Sequence, residues 1–281
     1  FPTRSGKHSL VAAQILHFAW PPEAEVTIAR VLRDGERPAD IGIEPVLNVF
    51  HERSHEITAV SWDGAARELA AEARLGFGVI GVGVADVRRE EVDGLPEGFH
   101  TPTLLGDLAN GLLEEVTVPL LIARPARNQE GRLPVISRVV VPVTGTRSSR
   151  AAQEVAFSIS ADLGTEVVLA HVVDRPVASR VARLLTRSGT DTKVDVAEQL
   201  LEEAASRAAA TGVQARTELR QGKAVADSLV TLVEEVEADL IVLGGSARTT
   251  EGHVFLGHIV EQVLEESDAT VAVVVSPSEV P

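Results

Sequence analysis

Two short stretches of this chain carry residue types at spacings that could do chemistry. The first is Gly244-Gly245-Ser246-Ala247, answered ten residues later by Gly257-His258. Glycines where a strand turns into a helix let backbone N–H groups approach phosphate oxygens, and a helix N-terminus adds a favourable partial charge. His258 can donate to an anion, more strongly once protonated, whereas Ala247 narrows the backbone and Glu251 brings a negative charge nearby. The second stretch is His51-Glu52-Arg53-Ser54-His55, a literal H-E-x-x-H. In zinc hydrolases that spacing puts two imidazoles on one helix face and a glutamate beside the metal-bound water. Here the preceding helix is short, a strand begins within two residues, Arg53 would sit beside the metal, and no third ligand is evident. A solvated helix end is the expectation.

Other chemistry is not supported. There is no Gly-x-Ser-x-Gly elbow and no Walker loop, and Gly222-Lys223 lacks the upstream glycine a phosphate loop needs. His171 falls inside a buried strand pattern and reads as a satisfied core or rim histidine. Arg175, Arg180, Arg183 and Arg187 read as a solvated helix face; docking of an acidic partner or of phosphates is the alternative.

The elements around the glycines follow from hydrophobic periodicity. Leu240–Leu243 is an unbroken apolar run; Phe255, Leu256, Ile259, Val260, Val263 and Leu264 mark one helix face; Val271–Val275 is a second apolar run, short enough for a strand buried on both sides. Strand, glycine turn, polar loop, helix and strand form a βαβ unit whose loop lies at the carboxyl edge of a parallel sheet, where ligands bind. Upstream, strands are expected at Arg138–Val143, Glu166–Val173 and Gln214–Leu219, with helices at Ser149–Leu163, Val194–Ala210 and Lys223–Val236. The first half shows helices at Val11–Phe18, Pro45–Glu52 and Gly64–Arg74, a further helix face on Leu104, Leu105, Leu108, Leu112 and Leu113, and strands at Glu25–Leu32, Ile57–Trp62, Phe77–Val84 and Val118–Ala123. Arg124–Ser137 has linker composition.

The halves repeat one another. EVTIARVL lies over EVVLAHVV, LLGDLANGLLEE over FLGHIVEQVLEE with Gly106 over Gly257, and Phe1-Pro2 over Val141-Pro142. Since the second half has a full strand before that Pro, and the chain contains no Met, the native polypeptide is expected to continue upstream of Phe1.

Composition narrows the partners. A net charge of −15 over 281 residues argues against binding nucleic acid or an anionic membrane through a basic face. No apolar run nears the roughly 18 residues of a membrane span, so no direct membrane insertion is expected. The absence of Cys excludes disulfides, thiolate catalysis and Cys-based zinc sites.

The second half resembles the universal stress protein domain, an adenine-nucleotide-binding α/β fold, and through the repeat the resemblance extends to the whole chain as a tandem pair. Its nucleotide-binding members read Gly, two residues, Gly, nine residues, Gly, then Ser or Thr. Gly244 and Gly257 stand at the outer glycines, Ala247 at the middle one and His258 at the hydroxyl; Thr144, after VVVPV, stands where those members have an Asp. The resemblance implies two Rossmann-like α/β domains, 1–125 and 138–281, joined by 126–137, each a five-stranded parallel sheet with helices on both faces. It implies a ligand site at Val143, Thr144, Val172, Gly244, Gly245, Ser246, Gly257 and His258, with no catalytic or metal-binding residue. No cofactor is certain; an adenine nucleotide (ATP, AMP or cyclic di-AMP) is the candidate, bound weakly because Thr144, Ala247 and His258 each remove a family contact. Binding of an anion should strengthen as His258 gains charge. The last strands of the halves, Val118–Ala123 and Val271–Val275, should pair antiparallel as an intramolecular pseudo-dimer; a homodimer is the other assembly to consider. The function implied is a non-catalytic regulatory or ligand-sensing module, the cytoplasmic tail of a membrane transporter; the alternative is a free-standing cytoplasmic stress protein that binds ATP or another adenine nucleotide.

Overall fold

The structure, a computed structural model, describes residues 1–4, 6–85, 105–127, 135–174, 187–222, 224–250 and 253–276. The first half runs β1 (Pro2–Thr3), α1 (Lys7–Ala19), β2 (Val26–Leu32), α2 (Glu44–Val49), β3 (His55–Ser61), α3 (Ala65–Ala73), β4 (Ile80–Gly83), α4 (Gly106–Glu115) and β5 (Leu120–Arg124). The second runs β6 (Arg138–Pro142), α5 (Arg147–Leu163), β7 (Glu166–Asp174), α6 (Arg187–Ala210), β8 (Ala215–Gly222), α7 (Val225–Glu235), β9 (Leu240–Ser246), a hairpin of β10 (Arg248–Thr250) and β11 (His253–Phe255), α8 (His258–Glu266) and β12 (Thr270–Ser276).

The α/β class is as expected, while the hydrogen bonds divide the strands as seven and three rather than five and five. The large sheet has the order β4-β5-β12-β9-β6-β7-β8 and the small one β1-β2-β3. Within the large sheet, the neighbours from the second half are all parallel. Outward from the seam, the strands follow the same sequence in both halves: last, fourth, first, second, third. In the first half the ladder breaks between β4 and β1. β1 has only two residues, and one is Pro2, which has no N–H to give.

The seam itself is antiparallel. β5 and β12 pair from Leu120↔Val275 to Arg124↔Val271, with Ile122 opposite Val273 at the centre. Both strands are apolar on both faces, since each is covered by helices above and below. Val271, Val273 and Val275 join one core with Leu112, Ile122, Leu229 and Val263; Ala272 and Val274 join the other with Ile15, Leu121, Val141 and Ile159. Both cores run through the seam from one half into the other. Among the described residues no helix is long and apolar enough to cross a membrane.

Several elements depart from the expected bounds. α6 begins at Arg187, ahead of Val194, and the polar loop after β9 is a hairpin. Arg175, Arg180 and Arg183, the segment 86–104 including Leu104, Lys223 and Glu251 lie outside the described residues. Arg124, assigned to the linker by composition, closes β5 and is 2% exposed. Its guanidinium donates to the carbonyls of Pro125 (2.7 Å), Ser267 (2.6 Å) and Ala269 (3.0 Å). Ser267 caps the carboxyl end of α8, so a cation from the first half meets orphan carbonyls of a helix in the second. Local composition could not show this, because Ser267 and Ala269 lie more than 140 residues away.

Replacing Arg124 by Leu keeps the apolar stem and leaves those carbonyls buried without their donor. A loss of roughly 2–4 kcal/mol is expected, read as a lower urea midpoint at unchanged slope. A midpoint within error of the parent would remove Arg124 from the seam's energetics.

Candidate functional site

β6 and β9 pair only at Val139↔Leu240 and Val140↔Ile241, whereas β9 stays paired with β12 as far as Ser246. Past Val140 the two strands separate, at the point where the strand order reverses, and a cavity of about 430 Å³ opens there. Its floor is aliphatic, with Val143, Val172, Leu243 and Leu229 among its walls; Phe255 and Leu256 close one side.

The rim is built by turn chemistry. Thr146 caps α5 by accepting from Ser149 N–H at 3.2 Å. Ser149 Oγ accepts from Thr144 N–H (3.1 Å) and Gln153 Nε2 (3.2 Å) and donates to Pro142 O (3.0 Å), which locks the strand-to-helix turn. Thr146 Oγ1 also lies 3.0 Å from Thr144 Oγ1 and 3.3 Å from Ser148 Oγ. His171 Nδ1 donates to Val143 O at 2.6 Å, which fixes its tautomer. Across the opening, Gly257 adopts φ +100° at the cap of α8, a conformation that favours glycine, and Leu256 N–H is held by Glu261 Oε1 at 3.1 Å. Arg248 pairs with Phe255 in the hairpin; Arg248 and His258 are both exposed at the rim. No carboxylate stands among the described lining residues.

The structure therefore brings together Val143, Thr144, Val172, Gly244, Ser246, Gly257 and His258. Gly245 does not join them. It lies within β9, where a Cβ would press on Val273. Gly244 is in the strand too, not in a turn: a Cβ there would collide with the Ser148 carbonyl and Ser149 N. Its role is close helix-to-strand approach. Gly83 stands in the same relation to His8 and Ser9 at the start of α1. Ala247 packs against the core. Sequence reasoning missed Thr146, Ser148 and Arg248; His171, read as a core or rim histidine, lines the cavity as well. The T-x-x-S capping spacing of Thr146 and Ser149 was the available signal.

Comparison with known proteins now decides the family. Residues 136–275, half of the chain, match the model of the universal stress protein family. The second half belongs to that family. A universal stress protein of Methanocaldococcus jannaschii is 28% identical over 141 residues, which are 50% of this chain and 82% of its own. The solved structure of a universal stress protein from Archaeoglobus fulgidus aligns over 99% of this chain and 97% of that one, with TM-score 0.63 at 16% identity. A protein of unknown function from Pseudomonas aeruginosa aligns over 89% of this chain and 83% of its own, with TM-score 0.51 at 15% identity. These two likenesses show the fold across both halves.

In the first half of this universal stress protein fold the corresponding edge is occupied differently. Counting from Pro2 over Pro142, Arg4 takes the place of Thr144. Its guanidinium grips both carboxylate oxygens of Glu36 (2.7 and 2.8 Å) and the Val31 carbonyl (2.7 Å), which holds the Glu36 carboxyl down at about 2. The H-E-x-x-H stretch is likewise structural. His51 donates to Asn48 O (2.8 Å) and His55 to Arg53 O (3.0 Å), and among the described residues no three metal-ligating side chains cluster. His51 and Glu52 are exposed as a solvated helix end should be, but Arg53 is 6% exposed. It donates to His17 Nδ1 (3.1 Å) and to the carbonyls of His17 (2.5 Å), Trp20 (2.8 Å) and Pro21, and so caps the carboxyl end of α1.

Because His17 accepts from Arg53, it must stay neutral. Burial first, then Arg53, hold its pKa below the ordinary 6.5, against the opposing pull of Asp162 and Glu52. His8 is lowered in the same sense by burial and Lys7. The unfolded chain therefore takes up these protons before the folded one does. Stability should be full above about pH 6.5 and decline as the pH falls below it. His17→Gln should flatten that decline, and Arg53→Ala should cost roughly 2–3 kcal/mol while His51→Ala stays within about 0.5 kcal/mol. Equal losses at positions 51 and 53, or a chelator-sensitive melting temperature, would restore the metal reading.

Proposed function

We propose that this chain is a non-catalytic, ligand-sensing module of two tandem universal stress protein-like domains, 1–125 and 138–281 with 126–137 between them, paired as an intramolecular pseudo-dimer. The ligand enters the second domain. The observation that carries this reading is the cavity between β6 and β9, where Ser149 and His171 are committed to holding its shape. Ser149 Oγ is tied between strand and helix, and His171 Nδ1 is tied to Val143 O. Neither arrangement supplies a nucleophile beside a base, whereas an apolar cavity with Arg248 at its rim suits reversible capture of a small molecule. The domain would report occupancy through α5 and α8, whose first turns line the opening. Attachment to a larger, transporter-type protein at the cytoplasmic face of a membrane belongs to the same proposal; its support is the family resemblance.

A second reading, retained binding of ATP or another adenine nucleotide by a free-standing stress protein, is favoured by the outer glycines Gly244 and Gly257 at the family's spacing. Thr144, Ala247 and His258 oppose it. Three losses of about 1 kcal/mol each would weaken binding more than a hundredfold. Calorimetric titration should give an ATP or AMP dissociation constant weaker than about 100 μM. A constant of a few micromolar, or ATP retained through purification and seen by native mass spectrometry, would replace the first reading by the second.

A further inference from the structure

We infer that the ligand of this cavity is an apolar-bodied carboxylate rather than a sugar phosphate; the inference rests on the reading of the β6–β9 crevice as a ligand site. The floor side chains, Val143, Val172, Val225, Leu229, Leu243 and Val260, have no polar atom for a ribose or a base edge to meet. A sugar placed on them would give up its hydrogen bonds to water and gain none from those side chains. An alkyl or aryl body loses nothing there and gains the full benefit of leaving water.

The rim points the same way. The Thr144, Thr146 and Ser148 hydroxyls are turned to one another and to the first turn of α5, through the Thr144–Thr146 contact at 3.0 Å, the Thr146–Ser148 contact at 3.3 Å and the Ser149 N–H at 3.2 Å. A sugar diol is best met by a carboxylate acceptor, and among the described lining residues there is none. What the rim does offer is positive. Arg248 stands exposed where the hairpin leaves β9, opposite Phe255, and His258 stands exposed at the first turn of α8. The result is an apolar chamber with the Arg248 cation at its mouth. The planar guanidinium of Arg248 matches a carboxylate through two parallel hydrogen bonds. The volume, about 430 Å³, sits in the lower part of the roughly 300–1,000 Å³ usual for small-molecule sites.

The test is calorimetric titration of the whole chain with decanoate, well below micelle-forming concentrations, beside octanoate, decanol and AMP. One decanoate should bind per chain. Octanoate should bind roughly fifteenfold more weakly, at about fourfold per methylene, and decanol at least tenfold more weakly than decanoate. Arg248→Ala, at an exposed position, should weaken decanoate about tenfold and leave decanol unchanged. AMP binding in the absence of decanoate binding overturns the inference and leaves the crevice as a ligand site. Binding of neither overturns both. Several decanoates per chain, or equal affinity for decanoate and decanol, overturns the assignment of the head group to Arg248.

Discussion

The candidate site depends on how closely α5 approaches β9, and Gly244 sets that distance. Any side chain there would strike the Ser148 carbonyl. With glycine, the first turn of α5 lies directly on the strand; beyond Ile241, β9 leaves β6 and keeps to β12. The crevice is the space left between a strand that must follow its partner and a helix that must not be pushed away. Gly83 makes the same kind of contact against His8 in the first half.

The two halves nevertheless use that unit differently. The second spans β7 and β8 with the 24-residue α6, while the first has only the six-residue α2 at that point in the order. The second leaves Thr144 at the mouth of its cavity; the first fills the matching position with Arg4, clamped by Glu36. The antiparallel β5–β12 seam ties them into shared cores on both faces, with Arg124 reaching from one half to cap a helix of the other.

Much of this was legible in the residues. Apolar runs bounded by turns located the strands because parallel strands covered on both faces need unbroken apolar side chains. The repeat placed Gly106 over Gly257, and both take positive φ. Seven of the eight expected site residues line one cavity because strand ends and helix starts must meet at the carboxyl edge. Gly245 misled, since a glycine pair reads as a turn while the strand simply continues through it. The hairpin after β9 was hidden by its polar composition. Arg53 and Arg124 were beyond reach for another reason: each is buried by carbonyls distant in sequence, and a lone arginine carries no local mark of the helix end it will cap.

The central claim is that the second half's β6–β9 crevice is where this chain takes a small molecule. Methyl-resolved NMR of the Leu and Val side chains, followed during titration with decanoate and separately with AMP, tests it most directly. Saturable shifts are expected at Val143, Val172, Leu229 and Leu243, with Val31 and Val82, the first-half counterparts of Val172 and Leu243, unmoved. Shifts confined to Val31 and Val82, or no saturable shift with either compound, would contradict it.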